Sequence, residues 1–134
     1  MIQTKLEDLT TEQKNHINSV TRQVLKELGA PIGTIGYTNT MCAVLILVTS
    51  YGSRIPMTKP GGVYHTIAEV YDTTPSRVER SIRHLSEVIV HKGEYTILNR
   101  IFGSLISKDS GLITNSNFLY ALRDEVMERL GYSF

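Results

Sequence analysis

Apolar positions recur at helical spacing along most of the chain. Ile17, Val20, Val24, Leu25 and Leu28 follow one another at three- and four-residue intervals, with Thr10 and Gln13 as a capping pair ahead of them and Gly29 behind, which predicts a first helix. The eight residues Met41-Cys42-Ala43-Val44-Leu45-Ile46-Leu47-Val48 are apolar without a break and predict a buried second helix over about Thr38 to Ser50. Gly52, Pro56, Pro60, Gly61 and Gly62 then predict an irregular loop. Beyond it, Val63, Ile67 and Val70 turn inward on a short third helix, and Asp72-Thr73-Thr74 form a turn. Val78, Ile82, Leu85 and Ile89 line one side of a fourth helix, which Thr74 caps, Pro75 opens and Gly93 ends. A short fifth helix over about Tyr95 to Phe102 turns Ile97, Leu98 and Ile101 inward. A loop with Lys108, Asp109, Ser110 and Gly111 follows, and a sixth helix from near Asn115 aligns Phe118, Leu122, Val126 and Leu130. No β-hairpin signal, internal repeat or low-complexity segment stands out. The expected fold is all-α: an N-terminal tail over residues 1–9, then a single six-helix domain over 10–134.

Length and composition agree with one domain. A chain of 134 residues can bury roughly two thirds of the surface its unfolded form exposes. Hydrophobic content of 41% and charged content of 20% are those of a globular protein. The net charge is only +1, so affinity for an anionic partner must come from where the charges sit. The longest apolar run falls well short of the roughly 20 residues a membrane-spanning helix needs. Met1-Ile2-Gln3-Thr4-Lys5-Leu6-Glu7-Asp8 lacks a basic end followed by an apolar segment, so no secretory signal and a cytoplasmic location are expected. The single cysteine, Cys42, can form no intrachain disulfide, and its apolar setting raises the thiol pKa, so it reads as core.

One stretch stands out chemically, Asp72-Thr73-Thr74-Pro75-Ser76-Arg77-Val78-Glu79-Arg80-Ser81-Ile82-Arg83-His84. At 100° per residue its apolar row points one way and Arg80 lies almost opposite, flanked by Ser76, Arg77, Arg83 and His84. With the short helix before it, this is a helix, a three-residue turn and a second helix over about residues 63–92. Such a layout is either a DNA-binding helix-turn-helix or an ordinary helical hairpin with a solvated charged face. In the first case the recognition helix is about residues 75–91. Arg80 would grip guanine O6 and N7, with Arg77 and Arg83 one turn either side. Glu79 would either accept from a cytosine amino group or orient Arg83 at i, i+4. Thr74, Ser76 and the free N–H groups at the helix start would meet a phosphate.

The run Ser76-Arg77-Val78-Glu79-Arg80-Ser81-Ile82-Arg83-His84 with Glu87-Val88, and Thr114-Asn115-Ser116-Asn117-Phe118 downstream, closely resembles the effector domain of the sporulation stage-zero protein A response regulators. The loop from Leu28-Gly29-Ala30-Pro31-Ile32 to Gly36-Tyr37 is also similar to that family's connection between its first two helices, and the likeness runs from about Ile17 to Leu130. It implies a six-helix DNA-binding domain whose recognition helix carries base and backbone contacts, raising Arg77, Glu79, Arg80, Arg83 and His84 together. It also implies duplex DNA as partner, tandem binding or a homodimer on it, and RNA polymerase as a further partner. The family's receiver domain would not fit ahead of Thr10, so a freestanding effector or a fragment is expected, without aspartyl phosphorylation as its switch if freestanding. Glu69-Val70 beside Tyr71 depart from the basic residues usual in the resembled sequences, and Pro60-Gly61-Gly62 alter the approach, which implies weaker backbone affinity or a changed operator.

Other candidates each carry a plainer reading. Lys59, Lys92 and Lys108 are outlying phosphate contacts or solvated surface lysines. Tyr120 and Met127, at i, i+7 on the last helix, offer a second face for a dimer or are scattered exposed apolar residues. His84, Glu87 and His91 share a helical stripe, but the outer two are separated by roughly 10 Å along the axis, too far for one zinc ion. Gly29, Gly33 and Gly36 lack the Gly-Lys-Ser/Thr of a phosphate loop. No metal, cofactor or enzyme activity is therefore expected. The reading is a sequence-specific transcription regulator, with a receiver-less interaction module that pairs with or antagonises a full-length regulator as the alternative.

Overall fold

The computed structural model describes residues 9–53 and 55–131. Most of the expected tail, residues 1–8, lies outside them, and Leu9 packs half-buried on the core. The described residues form six α-helices and no strand. They are α1 (Thr11–Glu27), α2 (Ile35–Thr49), α3 (Val63–Val70), α4 (Pro75–Lys92), α5 (Tyr95–Ile101) and α6 (Asn115–Arg129), with a 3₁₀ turn at Gly103–Leu105 after α5.

Local chemistry sets the helix ends. The Thr10 hydroxyl accepts from the Gln13 N–H at 3.0 Å and the Gln13 side chain accepts from the Thr10 N–H at 2.9 Å, a reciprocal capping box for α1. After α1, Gly29 takes φ +74°, a left-handed conformation that a side chain would strain, and Ala30 donates back to the Leu25 carbonyl at 3.0 Å. The Thr34 hydroxyl accepts from Tyr37 N–H at 3.2 Å, so α2 starts at Ile35 and not near Thr38. The extra turn carries Ile35 outward, so the apolar run alone did not reveal it.

Apolar on all sides, α2 is the helix the others pack around, touching α1, α3, α4 and α6. Its Ala43, Val44 and Ile46 have no exposed surface. Val24, Val63, Ile67, Val78, Ile82, Ile89, Phe118 and Leu122 close the core around it. Two inward assignments are corrected. On α3 the buried set is Val63, Tyr64, Ile67 and Ala68, while Val70, at the last residue, is 60% exposed. On α6, Leu119 and Met127 join the buried row because this helix lies in a slot against α1, α2, α4 and α5, which covers more than one narrow stripe. No described helix is long and apolar enough to cross a membrane.

Candidate nucleic-acid interface

The turn between α3 and α4 is built by the backbone. Thr73 N–H donates to the Ala68 carbonyl at 2.9 Å, five residues back as in a Schellman closure, and Asp72 takes φ 50° to allow it. The Thr74 hydroxyl then accepts from Arg77 N–H at 3.2 Å and Pro75 occupies the first turn, so α4 starts where the turn releases it.

Along α4, Val78, Ile82 and Ile89 are fully buried and Leu85 nearly so. This row pins the helix while Ser76, Arg77, Arg80, Arg83 and His84 remain exposed on its far side. Glu79 is half-buried and pairs with Arg83, Oε1 to Nη1 at 3.5 Å. Asn115 at the start of α6 donates from Nδ2 to the Glu79 carbonyl at 2.9 Å, and Asn39 of α2 donates from Nδ2 to Ser81 Oγ at 2.8 Å. Gly36 lets α2 press on the same place, since a Cβ there would overlap the Ser81 carbonyl. The helix is therefore braced from two sides in its second turn, within the stretch that carries the exposed arginines.

Arg77, Arg80 and His84 come together on one wall of a cleft, and Ser76 with Glu79 line a second, smaller one that Thr58 and His65 share. Lys59 follows Thr58 in an exposed loop beside this second cleft. Lys92 is the last residue of α4, roughly 22 Å along the axis from Arg77, and Lys108 sits in a turn that Gly111 N–H closes onto the Ser107 carbonyl at 2.8 Å. Neither lysine lines either cleft.

Of the second face suggested for α6, one of the two residues is buried. Met127 is 3% exposed, packed in the core, and Tyr120 is half-buried with the Arg123 guanidinium 4.8 Å above its ring. That guanidinium also lies 4.9 Å from the ring of Tyr51. Burial pushes the Cys42 thiol up to about 11, in keeping with a packing residue.

Sequence reasoning missed the opposite wall of the larger cleft, made by the cap residue Thr34 and by Ile35 and Thr38 of α2, with Tyr71 and Asp72 of the turn. Thr34, a cap residue followed by an apolar residue off the helical stripe, was the available signal.

A family model described as Sporulation initiation factor Spo0A C terminal matches residues 21–126 of the 134. The chain belongs to this family. The Spo0A C-terminal family is one of DNA-binding effector domains, not of enzymes, and the all-helical architecture agrees with it. The match takes in both helices of the helix-turn-helix and both braces of α4, so the exposed arginines lie within the matched region.

Proposed function

We propose that this Spo0A C-terminal domain is a sequence-specific regulator of transcription that inserts α4 into the major groove of duplex DNA. One observation carries the reading: Arg77, Arg80, Arg83 and His84 stand outward on a helix whose opposite row is buried. Arg80, central in that row, takes the guanine contact, because its fork matches O6 and N7 with two hydrogen bonds. Arg77 and His84 flank it on one side. Arg83 flanks it on the other, held in orientation by Glu79. Ser76 and the N–H groups at the start of α4 meet a phosphate, with Lys59 near the same strand. Lys92 and Lys108, which line neither cleft, act as remote charges. Specific regulators reach roughly 10⁻⁸ M whereas non-specific contacts reach roughly 10⁻⁴ to 10⁻⁶ M, which favours two copies on adjacent sites. A second copy must use a surface other than Met127.

The test is selection of bound sequences from random duplex DNA, followed by titration of the selected site at two salt concentrations. A preferred sequence and a log Kd that rises linearly with log salt support the proposal. Arg80→Ala should weaken the selected site by about 1–3 kcal/mol and flatten the preference at one base pair, with an unchanged melting temperature. Equal affinity of Arg80→Ala and the parent for that site would overturn the docking.

A further inference from the structure

Two clefts run beside α4, one on each flank of its exposed row. The larger, with a volume of about 810 Å³, separates Arg77, Arg80 and His84 from the first turn of α2 and Tyr71. The smaller, about 340 Å³, separates Ser76 and Glu79 from Thr58 and His65. The α2 wall is fixed to α4 by the Asn39 to Ser81 hydrogen bond and by the close approach at Gly36. Half of the large apolar residues exposed among the described residues lie at this cleft or next to it in sequence: Ile32 and Ile35 are each 75% exposed, Val70 60% and Tyr71 48%, while Tyr51, Tyr95, Leu105 and Leu112 are exposed elsewhere. Of the first four, Ile35 and Tyr71 line the cleft and the other two adjoin it in sequence. Exposed apolar side chains next to two arginines mark a surface that meets a partner.

The dimensions of DNA say what that partner presents. A helix with its side chains is roughly 10–12 Å across and the major groove is roughly 12 Å wide, so a helix docked there fills the width and has a sugar–phosphate strand along each flank. Any element rising beside α4 must meet one of those strands. We infer that the two clefts seat the two strands of the duplex, and that the first turn of α2 with Tyr71 is a second DNA-contacting wall. The inference rests on the major-groove reading above. Thr38, exposed on that wall, offers its hydroxyl to a phosphate, while Ile35 and Tyr71 lie against deoxyribose. The Arg77 and Arg80 side of the same cleft supplies the charge that draws the backbone in.

Ile35 allows a signed test because it occupies the first position of α2 and is exposed. A carboxylate there favours the helix dipole and a lysine opposes it, so Ile35→Glu should melt no lower than the parent and Ile35→Lys no higher. DNA affinity should follow the reverse order, Lys tightest and Glu weakest, with about a tenfold spread near 0.1 M salt and a steeper salt slope for the lysine variant. Opposite orders for folding and binding cannot arise from a folding defect. Arg80→Ala is titrated in parallel on the same selected DNA. If Arg80→Ala weakens binding while the two Ile35 variants agree within twofold and share one salt slope, the wall does not touch DNA and this inference fails alone. If Arg80→Ala is also without effect, the major-groove reading fails first. If the Ile35 variants change the sedimentation of the DNA-free domain and not its DNA affinity, the patch is a contact between copies and the inference is likewise overturned.

Discussion

Asp72 carries a backbone cost that most residues avoid, φ 50° without being glycine, and it does so on the wall facing Arg77 and Arg80. Asn and Asp tolerate the left-handed region better than other side chains because they hydrogen-bond locally, so the turn is affordable with either. The carboxylate, however, opposes any anion entering the cleft. Asp72→Asn keeps the tolerated conformation and removes that charge. It should leave stability within about 0.5 kcal/mol of the parent. It should also tighten DNA binding a fewfold at about 0.05 M salt, with the gain shrinking as salt screens it. Melting curves and titrations at two ionic strengths check both halves, and an affinity gain that does not depend on salt would contradict the electrostatic account. Glu79 and Arg83 illustrate a different balance at the same scale. Their pair at 3.5 Å is half exposed, so it contributes little to stability and serves chiefly to hold the guanidinium in one direction.

At the level of the helix, the amphipathic character of α4 separates folding from contact. Ile82 is fully buried, so Ile82→Ala should cost about 2–5 kcal/mol of stability, read from urea unfolding. The variant that remains folded should bind DNA as the parent does; a loss of affinity without a loss of stability would mean that the apolar row is not an independent anchor. This division was legible in the chain because α4 has a strong cap, a proline in its first turn and four apolar residues at one spacing. The packed rows at Phe118, Leu122 and Val126, and the caps at Thr10 and Thr74, were legible for the same local reasons. What periodicity could not convey was how many neighbours a helix has. Met127 lies one position past Val126 and looked free on a single-stripe reading, yet α6 is enclosed on several sides. Val70 fitted the inward spacing of α3 but falls at its last residue, where no neighbour covers it. The second wall of the larger cleft was hidden because it joins Ile35 to Tyr71, and only the fold brings those positions to one place.

Over the whole molecule, the groups that lock the helices together are distinct from those that face the clefts. Arg129 of α6 grips Glu27 of α1 through two hydrogen bonds of 2.7 and 2.8 Å and also holds Glu125 at 2.9 Å. Arg100 of α5 reaches Glu125 at 3.3 Å and Glu27 at 3.8 Å. The chain ends of α1 and α6 and the short α5 are thereby tied by a shared set of charges, none of which lines the clefts beside α4. The Arg129 hydrogen bonds hold the Glu27 carboxyl at about 2, against an ordinary 4.5. Because the folded value is the lower one, the unfolded chain binds the proton more readily. The stability this pair contributes is therefore complete above pH about 4.5 and is lost as pH falls from there toward about 2. Glu27→Gln should lower stability at neutral pH and remove this part of the acid dependence, so that parent and variant unfolding free energies converge as pH falls from about 4.5 toward about 2. Urea titrations across that interval decide it; parallel curves would mean that the carboxyl titrates alike in both states. At pH 7 the same variant should melt lower yet bind DNA with parental affinity, the mirror image of Arg80→Ala. That double dissociation follows from a molecule that closes its helices with one set of charges and reads its partner with another.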